Sequence, residues 1–392
     1  MERQSSVTIG LMGFELASPN KGCEALAYSF VDLIDSLKLG EVHICVLDEM
    51  EVDTFRERYP NISFFCVPSR IKDVKHKWIS AIRKCDYIFD ITMGDSFSDI
   101  YSEKYCISLM KRKFFAVLFG KKYILLPQTY GPFFNQKIRK RAVRIINKAD
   151  SVYSRDLASI DYLKRYGLRR KIEECTDLAF FLPLDEGKYD ISSEKINLGI
   201  NISGLLWKGG FESENQFGLK LDYQAYTREL LSYWANDERY RVHLIAHVID
   251  PREGSHDDDC FCIEKLHEEF PQTVVAPYFF SPIDAKSYIA KMDCFIGARM
   301  HATIAALSAG VPVIPVSYSR KFEGLFSSLG YGFVIHGTEY NTDTAIQKTK
   351  EYVEGVEVLL EKTREVKKTI DQKMSKFKYI LVEKLLGKET GE

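Results

Sequence analysis

The stretch FIGARMHATIAALSAGVPVIPVSYSRKFEGLF, Phe295 to Phe326, constrains the fold more than any other part of the chain. Phe295–Ile296 reads as a buried strand closed by Gly297. A helix opens at Met300 or His301 and stops at Gly310, a residue suited to a left-handed cap, with Pro312 just beyond. VPVIPVSY is then a second buried strand, and Ser319-Arg320-Lys321 follow its carboxyl end. Strand, helix and strand in that order are the unit of a parallel α/β sheet. Arg299 and His301 therefore stand where a strand ends and a helix begins, and the orphan N–H groups and macrodipole of that helix favour an anion there. Arg299 offers a rigid fork to a carboxylate or phosphate, a contact on the order of 1.5–3 kcal/mol. An imidazole at the same rim suits a general acid. The 20 residues between Arg299 and Arg320 carry no formal charge and are long enough to cross a bilayer, but His301, Gly310, Pro312 and Pro315 break them into helix, turn and strand.

The same alternation runs along the rest of the chain. Val7–Gly10 reads as a strand, SPNKGCEAL and its flanks as a polar loop, and Leu26, Phe30, Leu33, Ile34 and Leu37 as one face of a helix. Further strands are expected at Val42–Leu47, Tyr87–Ile91, Tyr123–Leu126 and Ser151–Ser154. The polar segment LPLDEGKYDISSEK (182–195) reads as a linker. After it the pattern restarts, with strands at Asn197–Ile202, Val242–Ala246, Cys294–Ile296 and Val311–Val316. The expectation is an α/β protein of two Rossmann-like domains facing a cleft, residues 1–185 and 196–340, with amphipathic C-terminal helices in 341–392 packing back on them. Such a cleft means an enzyme or a ligand-binding protein.

Composition narrows the partners. Lys plus Arg number 54 against 55 Asp plus Glu, a net charge of −1, which excludes a globally basic nucleic-acid binder and an acidic disordered chain. The nine cysteines include no CxxC pair and suit a reducing compartment rather than a disulfide framework. With no apolar stretch of signal-peptide length after Met1, the chain reads as cytosolic. Charge is nevertheless uneven, because residues 104–149 hold 12 Lys and Arg and no Asp or Glu. That segment reads either as solvated helix faces or as a docking surface for an anionic substrate or the inner face of a membrane.

Six pieces spread in order over about residues 7–330 resemble the polysaccharide pyruvyl transferase family. They are SPNKGCEAL, DITMGDSFSDIY (Asp90–Tyr101), LLPQTYGPF (Leu125–Phe133), VYSRDLASIDYL (Val152–Leu163), CTDLAFFL (Cys175–Leu182) and GARMHATIAALSAGVPVIPVSYSRK, the last the most specific. The resemblance implies two Rossmann-like domains of the GT-B type and transfer of pyruvate from phosphoenolpyruvate onto a saccharide as a ketal, with no metal and no cofactor. The family's Arg-x-His pair falls on Arg299 and His301, the arginine as anion ligand and the histidine as acid, and its Arg-Asp element falls on Arg155-Asp156. Where the family often has two glycines, this chain has Met93-Gly94.

Phosphoenolpyruvate carries a carboxylate and a phosphate, so its site needs about three cations or N–H donors. Arg299, Lys321 and Arg155 are the candidates, with Arg320 in reserve; Asn20 and Gln128 join them as substrate-binding residues, and Asp95 or Asp99 is the candidate base for the sugar hydroxyls. A capping or turn role is the plainer reading for Asp95, Asp99 and Asn20. Tyr130, Phe133 and Trp207 sit in expected loops where a sugar could stack, and His247 follows a strand that could line the cleft. HDDDCFC (256–262) has metal-ligand residue types without a metal-ligand spacing. The expected acceptor is a saccharide, and the docking reading of the basic 104–149 segment makes it a lipid-linked one held there. Two rival readings stand beside this one. A glycosyltransferase of the same shape would need a carboxylate for the ribose of a nucleotide sugar, for which Glu323 is the nearest residue, and a non-catalytic saccharide or anion binder would turn His301 away from the cleft.

Overall fold

The computed structural model describes residues 6–48, 50–67, 71–100, 102–191, 194–210, 215–252 and 254–386, with the backbone alone for 71–75, 320 and 321. The chain forms two compact units. The first is built on Leu26–Phe181, joined by the stretch before Ser18 and by the chain from Lys373 onward. The second comprises Ser18–Ala25 and Leu182–Gln372.

The first unit holds a seven-stranded parallel sheet. Its strands are β1 (Ser6–Met12), β2 (Glu41–Val46), β3 (Ile62–Cys66), β4 (Tyr87–Asp90), β5 (Tyr123–Gln128), β6 (Ser151–Ser154) and β7 (Ile172–Glu174), in the order β3-β2-β1-β4-β5-β6-β7. The central strands read as continuous apolar runs because helices cover both faces. Ile9, Leu11, Ile44, Ile88, Phe89 and Leu125 are fully buried. The helix Lys21–Ser36 carries the expected apolar face, and Leu26, Phe30 and Ile34 are all buried. Strand order reverses between β1 and β4, so the loops after these two strands flank the crevice where open α/β sheets bind ligands.

The second unit repeats the plan with β8 (Ile196–Asn201), β9 (Tyr240–Ile245), β10 (Val274–Val275), β11 (Cys294–Gly297), β12 (Val313–Ser317) and β13 (Ile335–His336), ordered β10-β9-β8-β11-β12-β13 and parallel throughout. Its reversal lies between β8 and β11, which puts Arg299 and His301 on the loop and helix that follow a switch-point strand. The helix between β11 and β12 runs Met300–Ala309, and Gly310 caps it at φ 82°.

Each strand expected from the sequence is present within two residues at either end. Four were missed: β3, β7, β10 and β13. All four are the outermost strands of their sheets, only two to five residues long and each with residues that are not buried, so they lack the long buried apolar run that marks a central strand. The C-terminal segment forms two helices, Thr342–Glu354 and Val356–Leu385. The first packs in the second unit on the helix Tyr223–Trp234, where Tyr226 and Thr349 share a 2.8 Å hydrogen bond. The last turns of the second belong to the first unit, where Phe377 meets Tyr153 edge-on at 5.1 Å and Lys373 pairs with Glu174. The short segment 18–25 likewise groups with the second unit, not with the residues around it in sequence.

One buried group makes the second unit sensitive to acid. His243 on β9 has one ring nitrogen 2.8 Å from the Tyr288 hydroxyl and the other 3.1 Å from Asn197 Oδ1. The neutral imidazole satisfies both, accepting from Tyr288 and donating to Asn197. Burial, with Arg241 adding to it, pushes its pKa down to about 4. A base whose folded pKa is depressed stabilises the fold above its unfolded value near ~6.5 and loses that contribution as pH falls from there toward 4. The second unit is therefore expected to be about 2 kcal/mol less stable at pH 5 than at pH 7 from this group alone. Hydrogen exchange of the β8 and β9 amides measures it, and His243→Gln is expected to flatten the dependence. Unchanged protection over that range would show that His243 does not report on folding.

Candidate functional site

In the second unit the site starts from β8, β9 and β11. Asn201, the last residue of β8, donates to the Ile245 carbonyl and accepts from the Arg299 backbone N–H at 2.9 Å, so one amide ties three strand ends together. The Arg299 side chain then turns inward. Its Nε and Nη2 donate to Asp259 Oδ1 at 3.1 and 2.6 Å, Nη1 donates to Asp257 Oδ1 at 2.6 Å, and Nη2 also donates to the Asp257 carbonyl. Arg299 is only 6% exposed. Burial opposes its charge, but Asp259 and Asp257 more than compensate and raise its pKa. This corrects the expectation of an open fork for an anion: the guanidinium is spent on two carboxylates, and Arg299 acts as a buried brace under the rim.

Asp259 is the centre of that brace. It precedes the helix Cys260–Glu269 at the cap position, yet its side chain does not cap the helix. One oxygen accepts from Arg299 and the Gly204 N–H, and the other accepts from the N–H groups of His247 and Val248 at 2.9 Å. Burial pushes this carboxyl up, and the guanidinium and backbone N–H donors act against that rise. Asp258 takes over the capping, accepting from Cys260 and Phe261. The run of three Asp residues thus works as a clamp for Arg299 and a helix cap. Its purpose was invisible in sequence, because nothing local links residues 257–259 to residue 299.

His301 lies one residue into its helix, half-buried. The segment 18–25 packs against it. A Cβ at Gly22 would overlap the imidazole, so only glycine lets the start of the helix Lys21–Ser36 come this close. Asn20 positions that start: its Oδ1 accepts from Gly22 N–H at 2.9 Å, and its backbone bridges Val248. Lys21 donates its N–H to the His247 carbonyl, and its ammonium pairs with Glu24 at 2.8 Å. His247 is buried beside them, and burial first, then the charges of His301, Arg299 and Lys21, drives its pKa far down. The neutral imidazole of His247 and the half-buried His301 therefore share one rim of mixed chemistry. The helix Arg320–Ser328 begins directly after β12, which puts the backbone of Arg320 and Lys321 at the next strand's carboxyl end; their side chains lie outside the described residues. Glu323 on that helix lies 3.5 Å from His336 Nδ1 and 3.4 Å from the Ser317 hydroxyl.

The first unit has its own switch-point cluster, at the ends of β4 and β5. Thr92, Met93 and Gly94 all take positive φ, at 44°, 51° and 80°. Two of the three are not glycine, a conformation that costs on the order of 1–2 kcal/mol each. A buried network holds them. Lys113 donates to Asp90 at 2.7 Å and to the Thr92 hydroxyl, Thr92 bonds Asp90, and Tyr123 adds its hydroxyl to the same carboxylate. Burial lowers the Lys113 pKa while Asp90 works against it. Gly13 makes room on the β1 side, since a Cβ there would come within 2.6 Å of the Thr92 backbone. Met93 in place of a glycine is thus tolerated by tertiary bracing.

Beyond this loop, Arg155 is 2% exposed, with Nη1 on Asp177 at 2.6 Å and Nε on the Thr129 hydroxyl at 2.9 Å. Burial works against its charge, but Asp177, Asp95 and Asp156 raise its pKa. Its Nη2 finds no hydrogen-bond partner among the described residues. Arg155, too, is a buried member of an ion pair, with one donor left over. Asp156 caps the helix Leu157–Arg165.

Asp99 accepts from the backbone N–H groups of Phe134 and Asn135 at 2.8 and 2.9 Å and is 8% exposed, so it clamps a loop, as the plainer reading had it. Asp95 is half-buried beside Arg155. Gln128, expected at substrate, is fully buried at the end of β5 and donates to the carbonyls of Asp90 and Leu126. Tyr130, Phe133 and Trp207 are buried as well and offer no face to a sugar; the Tyr130 hydroxyl donates to the Tyr153 carbonyl.

Two parallel α/β units, each with its polar cluster at a switch point, define the GT-B class of fold. The chain belongs to the polysaccharide pyruvyl transferase family, whose model matches residues 20–320. Among solved structures it is similar to HepE of Anabaena in complex with UDP-glucose, at 11% identity and a TM-score of 0.60, covering 97% of this chain and 100% of that one. It is also similar to a glycosyltransferase of Rickettsia africae, at 12% identity, TM-score 0.59 and 98% and 100% coverage, and to MnaA of S. aureus with UDP, at 13%, 0.58, 99% and 100%. At these identities the likeness is one of fold. No curated protein matches the sequence.

Proposed function

We propose that this protein transfers a pyruvyl group from phosphoenolpyruvate to two hydroxyls of a saccharide in the biosynthesis of a cell-surface or exported polysaccharide. The observation that carries the reading is His301, half-buried in the first turn of a helix at a switch point, in a chain whose family match spans 20–320. His301 protonates C3 of phosphoenolpyruvate, leaving C2 electrophilic. One sugar hydroxyl attacks C2, the C2–O bond to phosphate breaks with its electron pair going to phosphate, and the second hydroxyl closes the ketal. Of the two hydroxyl protons released, one replaces that given to C3 and the other leaves on phosphate. Asp95 receives the first, since Asp99 is engaged by the backbone N–H groups of Phe134 and Asn135. The helix N-termini at Met300 and Arg320 bind the donor's anionic groups. Arg299 holds that rim in place from beneath, and Arg155 offers its remaining donor beside Asp95.

The test incubates the protein with phosphoenolpyruvate and a panel of saccharide acceptors and follows inorganic phosphate by ³¹P NMR, with nucleotide sugars in parallel. Acceptor-dependent phosphate release with a ketal product is expected. Release of nucleoside diphosphate from a nucleotide sugar, with phosphoenolpyruvate untouched, would replace this reading by glycosyl transfer.

A further inference from the structure

In the first unit the helices Glu103–Phe119 and Gln136–Ile146 pack side by side and, with the turn at 166–170, enclose an open groove of about 1150 Å³. Its lining is amphipathic. Ile107, Met110, Phe114 and Phe115 supply an apolar wall, while Lys111, Lys140, Arg144, Lys148, Arg169 and Arg170 stand around it. Among the described residues no acidic side chain lines the groove, and none of these six cations makes an ion pair.

Solvated helix faces would account for the cations but not for the apolar side chains among them. Phe114 is 44% exposed, and Leu118, one turn further along the same helix, is 56% exposed. The inward face of that helix is already satisfied by Cys106, Leu109, Met110, Lys113 and Ala116. The two exposed residues therefore form a second apolar stripe, and it borders Lys111. An exposed apolar stripe beside a groove rimmed by cations that form no ion pair among the described residues fits one environment: the headgroup boundary of an anionic bilayer, where phosphates meet the cations and the acyl region receives the apolar tips. A nucleic acid would satisfy the charge and leave Phe114, Leu118 and the groove wall in water. Among the described residues no helix is long and apolar enough to cross a membrane, so the contact is peripheral.

We propose that this groove and its rim are a docking surface for a bilayer rich in anionic phospholipid. The proposal is independent of the reaction assigned above, since binding is read without turnover. The experiment is co-sedimentation with vesicles of phosphatidylcholine alone and with about a third phosphatidylglycerol, at low and high salt. The protein is expected to pellet with the anionic vesicles only, and less as salt rises. Lys140→Glu/Arg144→Glu is expected to weaken partitioning about tenfold or more, and Phe114→Ser/Leu118→Ser to remove the binding that survives high salt. All four positions lie outside the residues placed in the reaction, and circular dichroism verifies that the variants fold. Absence of binding to anionic vesicles at low salt overturns the proposal. So does binding that ignores both double variants, or binding to single-stranded nucleic acid in place of vesicles.

Discussion

His301→Gln is expected to lower turnover of phosphoenolpyruvate with its acceptor roughly 10²- to 10⁴-fold, the usual contribution of a positioned general acid. Glutamine keeps much of the side-chain volume and a hydrogen-bonding end but cannot deliver a proton to carbon. Because the residue is half-buried in the first turn of its helix, the fold should be little affected, and KM for phosphoenolpyruvate should change far less than kcat. Gly22→Ala supplies a second line of evidence. Its methyl group would displace the imidazole from the position that the helix start now enforces, so it too should lower kcat while leaving the donor's binding groups in place. If His301→Gln retains more than a tenth of the wild-type rate, another group donates the proton and the assigned acid is wrong.

Arg299→Met should act on the fold itself. It leaves Asp259, fully buried, with its principal counter-charge gone, and breaking a buried pair of this kind costs about 3–5 kcal/mol. The loss should appear as early hydrogen exchange over 243–260, because the backbone N–H groups of His247 and Val248 are anchored by the same carboxylate. Adding Asp259→Asn removes the stranded charge and is expected to restore part of the stability without restoring the order of the rim. A single variant as stable as the parent, with exchange unchanged, would mean that the Asp257–Arg299–Asp259 cluster is not the brace described above.

Much of the architecture was legible because central parallel strands announce themselves. VPVIPVSY and YILLP are apolar on both faces, and Gly310 followed by Pro312 marks a helix end that the structure places at Gly310. The edge strands were not legible, since Val274–Val275 and Ile335–His336 are too short to show any period. At the site the sequence picked the right neighbourhoods and misjudged several roles. Arg299, Arg155 and Gln128 were expected at the surface of a cleft; each is buried, because a residue's partner across the fold leaves no trace in its own local pattern. Asp99 looked no different from Asp95 until Phe134 and Asn135 were seen to occupy it. Met93 stood out as an oddity, and the residue before it, Thr92, is held by Lys113, twenty-one residues on and inside a helix that sequence alone could only call basic.

The distance in sequence between residues 257–259 and Arg299 has a practical side for anyone recombining chains of this family. A crossover between residues 260 and 298 takes the guanidinium from one parent and both of its carboxylates from the other. Unless the two parents agree at all three positions, the hybrid inherits an orphaned charge in its interior. Swap points are safer before Asp257 or after Gly310, where the trio travels as one block.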